Sequence, residues 1–252
     1  MSPEDFNRVA AGFPEPFRLL VKDSVESTND EALALVRAGA KDGLIVLAER
    51  QTAGRGRRGA AWFSPSGESL AFSIVIRPAE PKVLWPRLAL AAGLAVAEAI
   101  ERFGVHTGIK WPNDVWIGGR KVAGILVEAG PDFAVIGIGL NVNTISFPAG
   151  VAEIATSLQI ETGFPLPREE VLAAIIEKFA LRRGQIGDDF EGLIKALGER
   201  CVLTGKRISL TTAGGQLSGT MEGISPAGEL LLRTATGVER LIKADEVRFL
   251  AD

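Results

Sequence analysis

Residues 51–59 combine glycine and arginine in a way that suits the binding of an anion. They read Gln-Thr-Ala-Gly-Arg-Gly-Arg-Arg-Gly. The glycines let backbone N–H groups approach a ligand, and the arginines supply charge and forked donors for a phosphate or carboxylate. The segment is not a P-loop, because the lysine and hydroxyl residue of that motif do not follow the glycines. By itself the pattern is equally typical of an arginine–glycine loop that binds RNA or is merely solvated.

A second segment whose residue types could take part in chemistry is Lys110–Asp114, which reads Lys-Trp-Pro-Asn-Asp. Pro112 restricts Trp111 to extended geometry, so we expect Lys110 to project from a stiff strand. A fixed cation there would neutralise the charge that gathers on a carboxylate and an α-phosphate as they react. A lone lysine on a strand is more often a surface charge. The Trp-Pro-Asn-Asp residues that follow Lys110 favour a functional role over that of a surface charge.

Short apolar runs and helical spacings surround both segments. Gly118 and Gly119 separate two β-prone runs and predict a hairpin turn. We expect the strands to lie side by side in a mixed or antiparallel sheet, with helices over one face. The expected strands are residues 17–21, 44–48, 70–76, 109–117, 121–128 and 133–140, and the expected helices begin near Ser27 and span 86–103, 168–182 and 189–197.

The composition changes near Arg200. Beyond about Thr204, β-prone runs alternate with turn residues at the spacing of a small barrel. These turn residues are Gly214, Gly215, Gly223, Pro226, Gly228 and Gly237. The sequence therefore predicts two domains, residues 1–200 and residues 201–252.

The overall composition is that of a globular chain with room for a packed core. Of 252 residues, 46% are hydrophobic and 23% are charged, a normal balance for a folded protein. The formal net charge of −3 argues against a dedicated nucleic-acid binder, because such proteins usually carry a basic excess.

Single residue types exclude several other classes. Cys201 is the only cysteine, which excludes an intrachain disulfide and fits a reducing cytoplasm. His106 is the only histidine, too few for a multi-histidine zinc centre, and we expect it at the surface. Residues 1–5 are acidic and lack the pattern of a secretory signal. Residues 88–100 are too short to span a bilayer and predict a buried helix.

The two segments together resemble the biotin–protein ligases. Gly54–Gly59 and Lys110–Asp114 match that family in order and spacing. The resemblance covers roughly residues 20–145 well and the tail more loosely. The further matching blocks are Ser27–Asn29, Trp62–Pro65, Arg120–Glu128 and Gly137–Asn143.

The resemblance implies a set of residues around biotin. The positions that match the family form two sets. The polar side chains of the first set suit the ureido ring of the biotin head, and the residues of the second set would lie along the acyl-phosphate. The head-group residues are Ser27, Thr28, Asn29 and Gln51, and those nearer the carboxylate are Arg55, Gly56, Arg57 and Lys110. Ser27 and Thr28 have another interpretation, as an ordinary helix cap.

The resemblance also implies a nucleotide site and two catalytic residues. Lys110 and Arg57 are expected at the reacting centre and on the nucleotide. Trp62 and Asn141 are expected near the adenine, where Trp62 would stack. Alternatively, Trp62 is a core aromatic and Asn141 a turn residue at a strand end. No residue is expected to ligate a metal.

The fold and reaction follow from the same resemblance. It implies an α+β catalytic domain, a mixed β-sheet backed by helices and related to class II aminoacyl-tRNA synthetases, followed by a small SH3-like β-barrel. Biotin and ATP, with Mg²⁺ on the phosphates, would give biotinyl-5′-AMP and pyrophosphate. A lysine of a biotin carboxyl carrier domain, from acetyl-CoA carboxylase or a related carboxylase, would then take the biotin and release AMP. A cytoplasmic enzyme without nucleic-acid or membrane partners is expected, and a homodimer is left open.

Departures from the family pattern bear on affinity and regulation. Ala60 stands where relatives often carry a basic residue, and Ala71 stands where some carry an aromatic ring. Both would loosen ligand binding without changing the reaction class. Some relatives carry an amino-terminal helix-turn-helix domain and repress genes. Here the catalytic resemblance starts by about residue 20, too early for such a module to precede it, so we predict no repressor function.

Three alternatives compete with this interpretation. A lipoate–protein ligase shares the fold and adenylation chemistry but differs in its acyl pocket. An RNA-binding module would use the arginine-rich loop, although acidic net charge and the absence of aromatic RNA-binding motifs disfavour it. A binding-only biotin sensor would form no adenylate.

Overall fold

The strands form two separate sheets. The computed structural model describes residues 3–212 and 214–250. The larger sheet contains β1 (Arg18–Val25), β2 (Leu44–Gln51), β3 (Ser69–Ile76), β4 (Gly108–Lys110), β5 (Asp114–Ile117), β6 (Arg120–Ala129) and β7 (Ala134–Asn141). The smaller sheet contains β8 (Arg207–Thr212), β9 (Gly215–Ile224), β10 (Leu230–Thr234), β11 (Gly237–Leu241) and β12 (Glu246–Phe249).

Helices fill the connections between strands and the region between the sheets. They are α1 (Pro3–Ala10), α2 (Thr28–Arg37), α3 (Arg87–Glu101), α4 (Leu158–Thr162), α5 (Arg168–Asp188) and α6 (Phe190–Gly198), with short 3-10 turns at Arg57–Gly59 and Lys82–Leu84. Of the acidic amino terminus, residues 1 and 2 lie outside the described part. Within that part, no helix has both the length and the apolar character needed to cross a membrane.

The larger sheet is mixed, as the sequence predicts. Its strand order is β1-β2-β3-β7-β6-β5-β4. β1 and β2 are parallel, and the other neighbours are antiparallel. Gly118 and Gly119, at φ 57° and 82°, form the predicted turn between β5 and β6, because positive φ at both positions suits a two-residue hairpin.

Helices cover both faces of the larger sheet, so the expectation of one covered face is wrong. Every residue of β3 is buried, which requires apolar cover on both sides. On β2, Ile45 and Leu47 belong to the core shared with α3 and α5. Val46 points the other way and packs with Ala32 and Val36 of α2. The helix α2 at the start of the candidate site is therefore held by its own apolar cluster.

The chain reverses after Lys110 and does not continue extended to residue 117, so that expectation is also wrong. β4 ends at Lys110, and residues 111–113 form a turn that pairs Lys110 with Asp114 of β5. The cause is Trp111, which is 1% exposed. Its indole Nε1 donates a hydrogen bond at 3.1 Å to the carbonyl of Gly228, in the turn between β9 and β10 of the smaller sheet. Lys110 consequently sits at a strand end, beside a turn anchored in the protein interior.

The smaller sheet has five antiparallel strands in the order β11-β10-β9-β8-β12. The strands agree with the predicted turn spacing, and among the described residues β11 and β12 are the two ends of an open hydrogen-bonded sheet. Leu210 and Leu230 share one hydrophobic core with α3 and α5. The Ile109 N–H also donates to the Arg200 carbonyl at 2.8 Å. A division of the chain at residues 200 and 201 stays a prediction.

Candidate active site

Gln51 joins the end of β2 to the start of α2. Its Oε1 accepts hydrogen bonds from the Thr28 backbone N–H at 2.8 Å and from Thr28 Oγ1 at 3.1 Å. Ser27 occupies the N-cap position, but its side chain makes no capping hydrogen bond. The acceptor for the first turn of α2 is therefore supplied by Gln51, and the interpretation of Ser27 as an ordinary cap is not supported. Ser27 instead helps to line a surface cavity of about 300 Å³.

Asn29 is buried beside a serine that the sequence motifs do not include. Ser73 Oγ of β3 lies 2.8 Å from Thr28 Oγ1 and 2.6 Å from Asn29 Oδ1. On the other side, Asn29 Nδ2 donates to Glu128 Oε2 of β6 at 2.6 Å. A Cβ at Gly137 would stand 2.2 Å from Asn29 Oδ1, so only glycine leaves room for this amide. The result is a compact group of amide and hydroxyl side chains on the sheet.

Arg55 is held by two carboxylates. Both terminal nitrogens of its guanidinium hydrogen-bond to Asp30, and one lies 3.5 Å from Glu128 Oε1. The hydrogen bond to Asp30 raises the pKa of Arg55 against an opposing effect of burial. The glycine-rich loop is therefore fastened at this end to both α2 and β6.

The hydrogen bonds of Arg57 within the described residues go to neutral partners. It donates to Asn113 Oδ1 at 3.1 Å and to the backbone carbonyl of Ala244. The loop itself is closed by a hydrogen bond from Gly56 N–H to the Ala60 carbonyl at 2.7 Å. Arg57 thus connects the glycine-rich loop, the second motif and the tail, and its charge faces no carboxylate in these contacts.

Lys110 is enclosed by aromatic rings. Its Nζ lies 4.6 Å from the centroid of Trp116 and 5.5 Å from that of Phe249. The two rings meet edge to face at 5.8 Å. Burial lowers the pKa of the Lys110 ammonium, and attraction to Asp114 offsets part of that effect. A half-buried cation of this kind interacts more strongly with an anion than an exposed cation does, because less water screens it.

Trp62 lies across a pair of glycines on neighbouring strands. Gly124 of β6 and Gly139 of β7 are register partners. A Cβ at Gly139 would approach the indole to 2.3 Å, and one at Gly124 would approach it to 3.2 Å. Trp62 is half-buried, and its buried Nε1 has no hydrogen-bond partner within the described ranges. The ring therefore rests on bare backbone and is not a core aromatic.

Asn141 is placed apart from the Thr28 group, at the end of β7. It is 4% exposed, and its Nδ2 donates to the Thr156 carbonyl at 3.0 Å. This bond ties β7 to the segment that precedes α4. Its side chain is committed to a structural contact in this state, as a strand-end residue would be. An adenine role for Asn141 stays a prediction.

Several polar residues of the site were missed by the sequence reasoning. Asp114, Lys121 and Glu128 lie inside matching blocks but received no role, whereas Asp30 and Ser73 lie outside those blocks. Lys121 Nζ forms an ion pair with Asp114 Oδ1 at 2.7 Å. Lys121 and Glu128 are seven positions apart on β6, a separation of about 23 Å along a strand, so spacing does not bring them together and only the fold shows their partners.

Metal ligands are not grouped in the described residues. No three of the His, Cys, Asp and Glu side chains there are arranged to hold a metal ion. His106 is exposed, as expected. Cys201 is free and partly buried.

The fold and site together define a class of protein. A mixed sheet with a glycine- and arginine-rich loop, a half-buried lysine and a neighbouring amide–hydroxyl group suits an enzyme that activates a carboxylic acid as an acyl-adenylate. Residues 21–143 match the Biotin/lipoate A/B protein ligase family. Residues 203–249 match the Biotin protein ligase C terminal domain.

Known relatives narrow the class to one family. The chain is 38% identical over 237 residues to the Bifunctional ligase/repressor BirA of Bacillus spizizenii, covering 90% of this chain and 73% of the relative. It is 37% identical over 239 residues to the Biotin–[acetyl-CoA-carboxylase] ligase of Paracoccus denitrificans, covering 89% and 97%. The solved biotin protein ligase from Aquifex aeolicus, in complex with biotin and ATP, aligns with a TM-score of 0.85 at 30% identity, covering 92% and 99%. The chain belongs to the biotin–protein ligase family.

Proposed function

We propose that this chain joins biotin to a lysine of a carrier domain in two ATP-dependent steps. The observation that carries the proposal is the hydrogen bond from Arg57 of the glycine-rich loop to Asn113, in the turn that follows Lys110. Lys110 is half-buried against aromatic rings, and the described hydrogen bonds of Arg57 go to neutral groups. Such a centre suits a reaction in which negative charge accumulates between a carboxylate and a phosphate.

The biotin head would bind where Thr28, Asn29 and Gln51 converge, with Ser27 at the margin. These side chains offer both donors and acceptors, which the ureido group of biotin requires. Thr28 hydrogen-bonds to Gln51, and Thr28 and Asn29 hydrogen-bond to Ser73. Biotin would exchange some of these bonds for its own, so that no buried polar group loses its partner.

In the first step, a biotin carboxylate oxygen bonds to the α-phosphorus of ATP. The bond from that phosphorus to the bridging oxygen breaks, and pyrophosphate leaves with the electron pair. Lys110 and Arg57 would neutralise the charge that develops. Arg55, already neutralised by Asp30 and Glu128, would hold the loop so that Gly56 presents its backbone along the acyl-phosphate. Trp62 and Asn141 would meet the adenine.

Magnesium enters this scheme with the substrate. The described residues contain no cluster of three or more side chains arranged as a metal site. Mg²⁺ commonly keeps several waters and binds chiefly to substrate phosphates. We therefore propose that the nucleotide binds as magnesium–ATP and that the ion is held chiefly by the substrate phosphates.

In the second step, the amine of a carrier lysine attacks the carbonyl carbon of biotinyl-AMP. An amide forms, a proton is lost from nitrogen, and AMP leaves with the electrons of the broken C–O bond. Members of this family act on biotin carboxyl carrier proteins. The carrier of acetyl-CoA carboxylase is the specific partner that we propose, because the Paracoccus denitrificans relative is named for that substrate.

A direct assay tests the proposal. The purified protein is incubated with magnesium–ATP, a biotin carrier domain and either biotin or lipoate, and the carrier is analysed by mass spectrometry. We expect one biotinyl group on one lysine and no lipoyl group. Lipoylation would favour the lipoate ligase alternative, and biotin binding without pyrophosphate release would favour a sensor.

A further inference from the structure

Lys121 carries a second ammonium into the centre that holds Lys110. Its Nζ lies 2.7 Å from Asp114 Oδ1 and 5.6 Å from the centroid of the Trp62 ring. Its side chain is 32% exposed, so a ligand can reach it. Neither the charge-stabilising role of Lys110 nor the loop contacts of Arg57 account for this lysine.

The local charge balance around Lys121 is positive. Asp114 and Glu246 attract Lys110, Lys121 and Arg248 repel it, and Asp114 is also ion-paired with Lys121. Glu246 is itself paired with Arg248, so Asp114 is the carboxylate that faces both lysines. Arg57 adds a third cation whose described hydrogen bonds go to an amide and a backbone carbonyl. An excess of this kind favours an anion with several charges over one with a single charge.

Two glycines next to Lys121 and Asp114 leave part of the larger sheet without side chains. Asp114 of β5, Gly124 of β6 and Gly139 of β7 are consecutive register partners across the sheet. A Cβ at Gly124 would lie 3.1 Å from Lys121 Nζ. The missing side chains leave a flat surface beneath Lys121 and Trp62, beside the strand end where Lys110 stands.

We propose that Lys121 binds the β- and γ-phosphates of the nucleoside triphosphate and stabilises the pyrophosphate as it leaves, while Asp114 holds its ammonium in the unliganded protein. The inference rests on the proposed function. When the bond between the α-phosphorus and its bridging oxygen breaks, the electron pair adds charge to pyrophosphate. A compact ammonium on a flexible stem suits this diffuse charge. A partly exposed ion pair with Asp114 is weak enough to be exchanged for phosphate.

The role predicts an effect on one half-reaction only. Adenylate formation involves pyrophosphate, whereas transfer from preformed biotinyl-AMP to the carrier does not. A residue that merely supports the fold would affect both steps.

The test uses Lys121→Gln in the full chain, because glutamine can still donate to Asp114 while the charge is lost. We expect kcat/KM for magnesium–ATP to fall about tenfold to a hundredfold, as for loss of one charge-assisted hydrogen bond. The KM for pyrophosphate in the reverse reaction should rise by a similar factor. Biotin affinity by calorimetry and the rate of transfer from supplied biotinyl-AMP should stay within twofold of the wild type. Lys121→Arg, which keeps the charge, should recover most of the loss.

A matched control is Lys82→Gln. The Nζ of Lys82 also lies over a tryptophan ring, 5.4 Å from the centroid of Trp85, and its replacement should change neither half-reaction. Unchanged ATP and pyrophosphate kinetics in Lys121→Gln would overturn the inference, and so would an equal loss in both half-reactions or a failure of Lys121→Arg to recover activity. If the wild type itself forms no biotinyl-AMP, the proposed function has failed instead.

Discussion

Replacement of Lys110 by methionine is the most direct test of the reacting centre. Methionine keeps the length of the side chain and can pack its sulfur against the rings of Trp116 and Phe249. The lost cation–π contact, at 4.6 Å from the Trp116 centroid, is worth about 0.5–2 kcal/mol. Sulfur–aromatic contact returns about 0.3–1.5 kcal/mol. The free energy of unfolding should therefore change by less than about 1 kcal/mol.

Catalysis should change far more. Loss of one preorganised charge at a transition state costs about 3–4 kcal/mol, which lowers the rate of adenylate formation about a hundredfold to a thousandfold. The assay is single-turnover release of pyrophosphate, with biotin binding measured separately by calorimetry. The matched control is Lys82→Met, because Lys82 Nζ also lies over a tryptophan, 5.4 Å from the centroid of Trp85. A folded Lys110→Met protein that releases pyrophosphate within threefold of the wild-type rate would refute the assigned role.

Three further outcomes follow from the described contacts. Burial lowers the pKa of Lys110, so the free energy of unfolding of Lys110→Met, relative to that of the wild type, should fall as the pH rises through the folded pKa of Lys110 towards that of a free lysine, as measured by denaturant melts. Arg57→Gly removes the bonds to Asn113 and Ala244 and should speed dissociation of preformed biotinyl-AMP about tenfold to a hundredfold; equal dissociation rates in a stopped-flow chase would exclude a clamp. Gly137→Ala would place a Cβ 2.2 Å from Asn29 Oδ1 and should weaken biotin binding at least tenfold by calorimetry, whereas unchanged affinity would remove Asn29 from the biotin site.

Local patterns predicted much of the larger sheet. The two glycines at 118 and 119 marked the hairpin because both need positive φ. The largely apolar run at residues 70–76 predicted a strand, but its single polar residue, Ser73, does not define an alternating polar face. Periodicity therefore did not reveal that this strand is buried on both faces and covered by helices on both sides.

The hydrogen-bond partners of the site residues could not be predicted from local sequence patterns. Arg57 bonds to Ala244 across 187 positions of the chain, and Asn29 reaches Glu128 across 99. The sequence motifs indicate which residues face a ligand, but they do not indicate which other residues of the protein those side chains contact. The extended path predicted beyond Lys110 failed for the same reason, because the turn depends on burial of Trp111 against a distant sheet.

Trp111 also makes the carboxyl-terminal sheet a determinant of active-site geometry at a distance. The residue next to Lys110 in the chain is anchored at Gly228, which has φ +90° and no room for a Cβ beside Leu90. In a saturation mutagenesis screen, substitutions at residue 228 should therefore register as loss of ligation even where the protein accumulates normally. Chimaeras that exchange tails between relatives would have to transfer the tryptophan and its glycine as a pair.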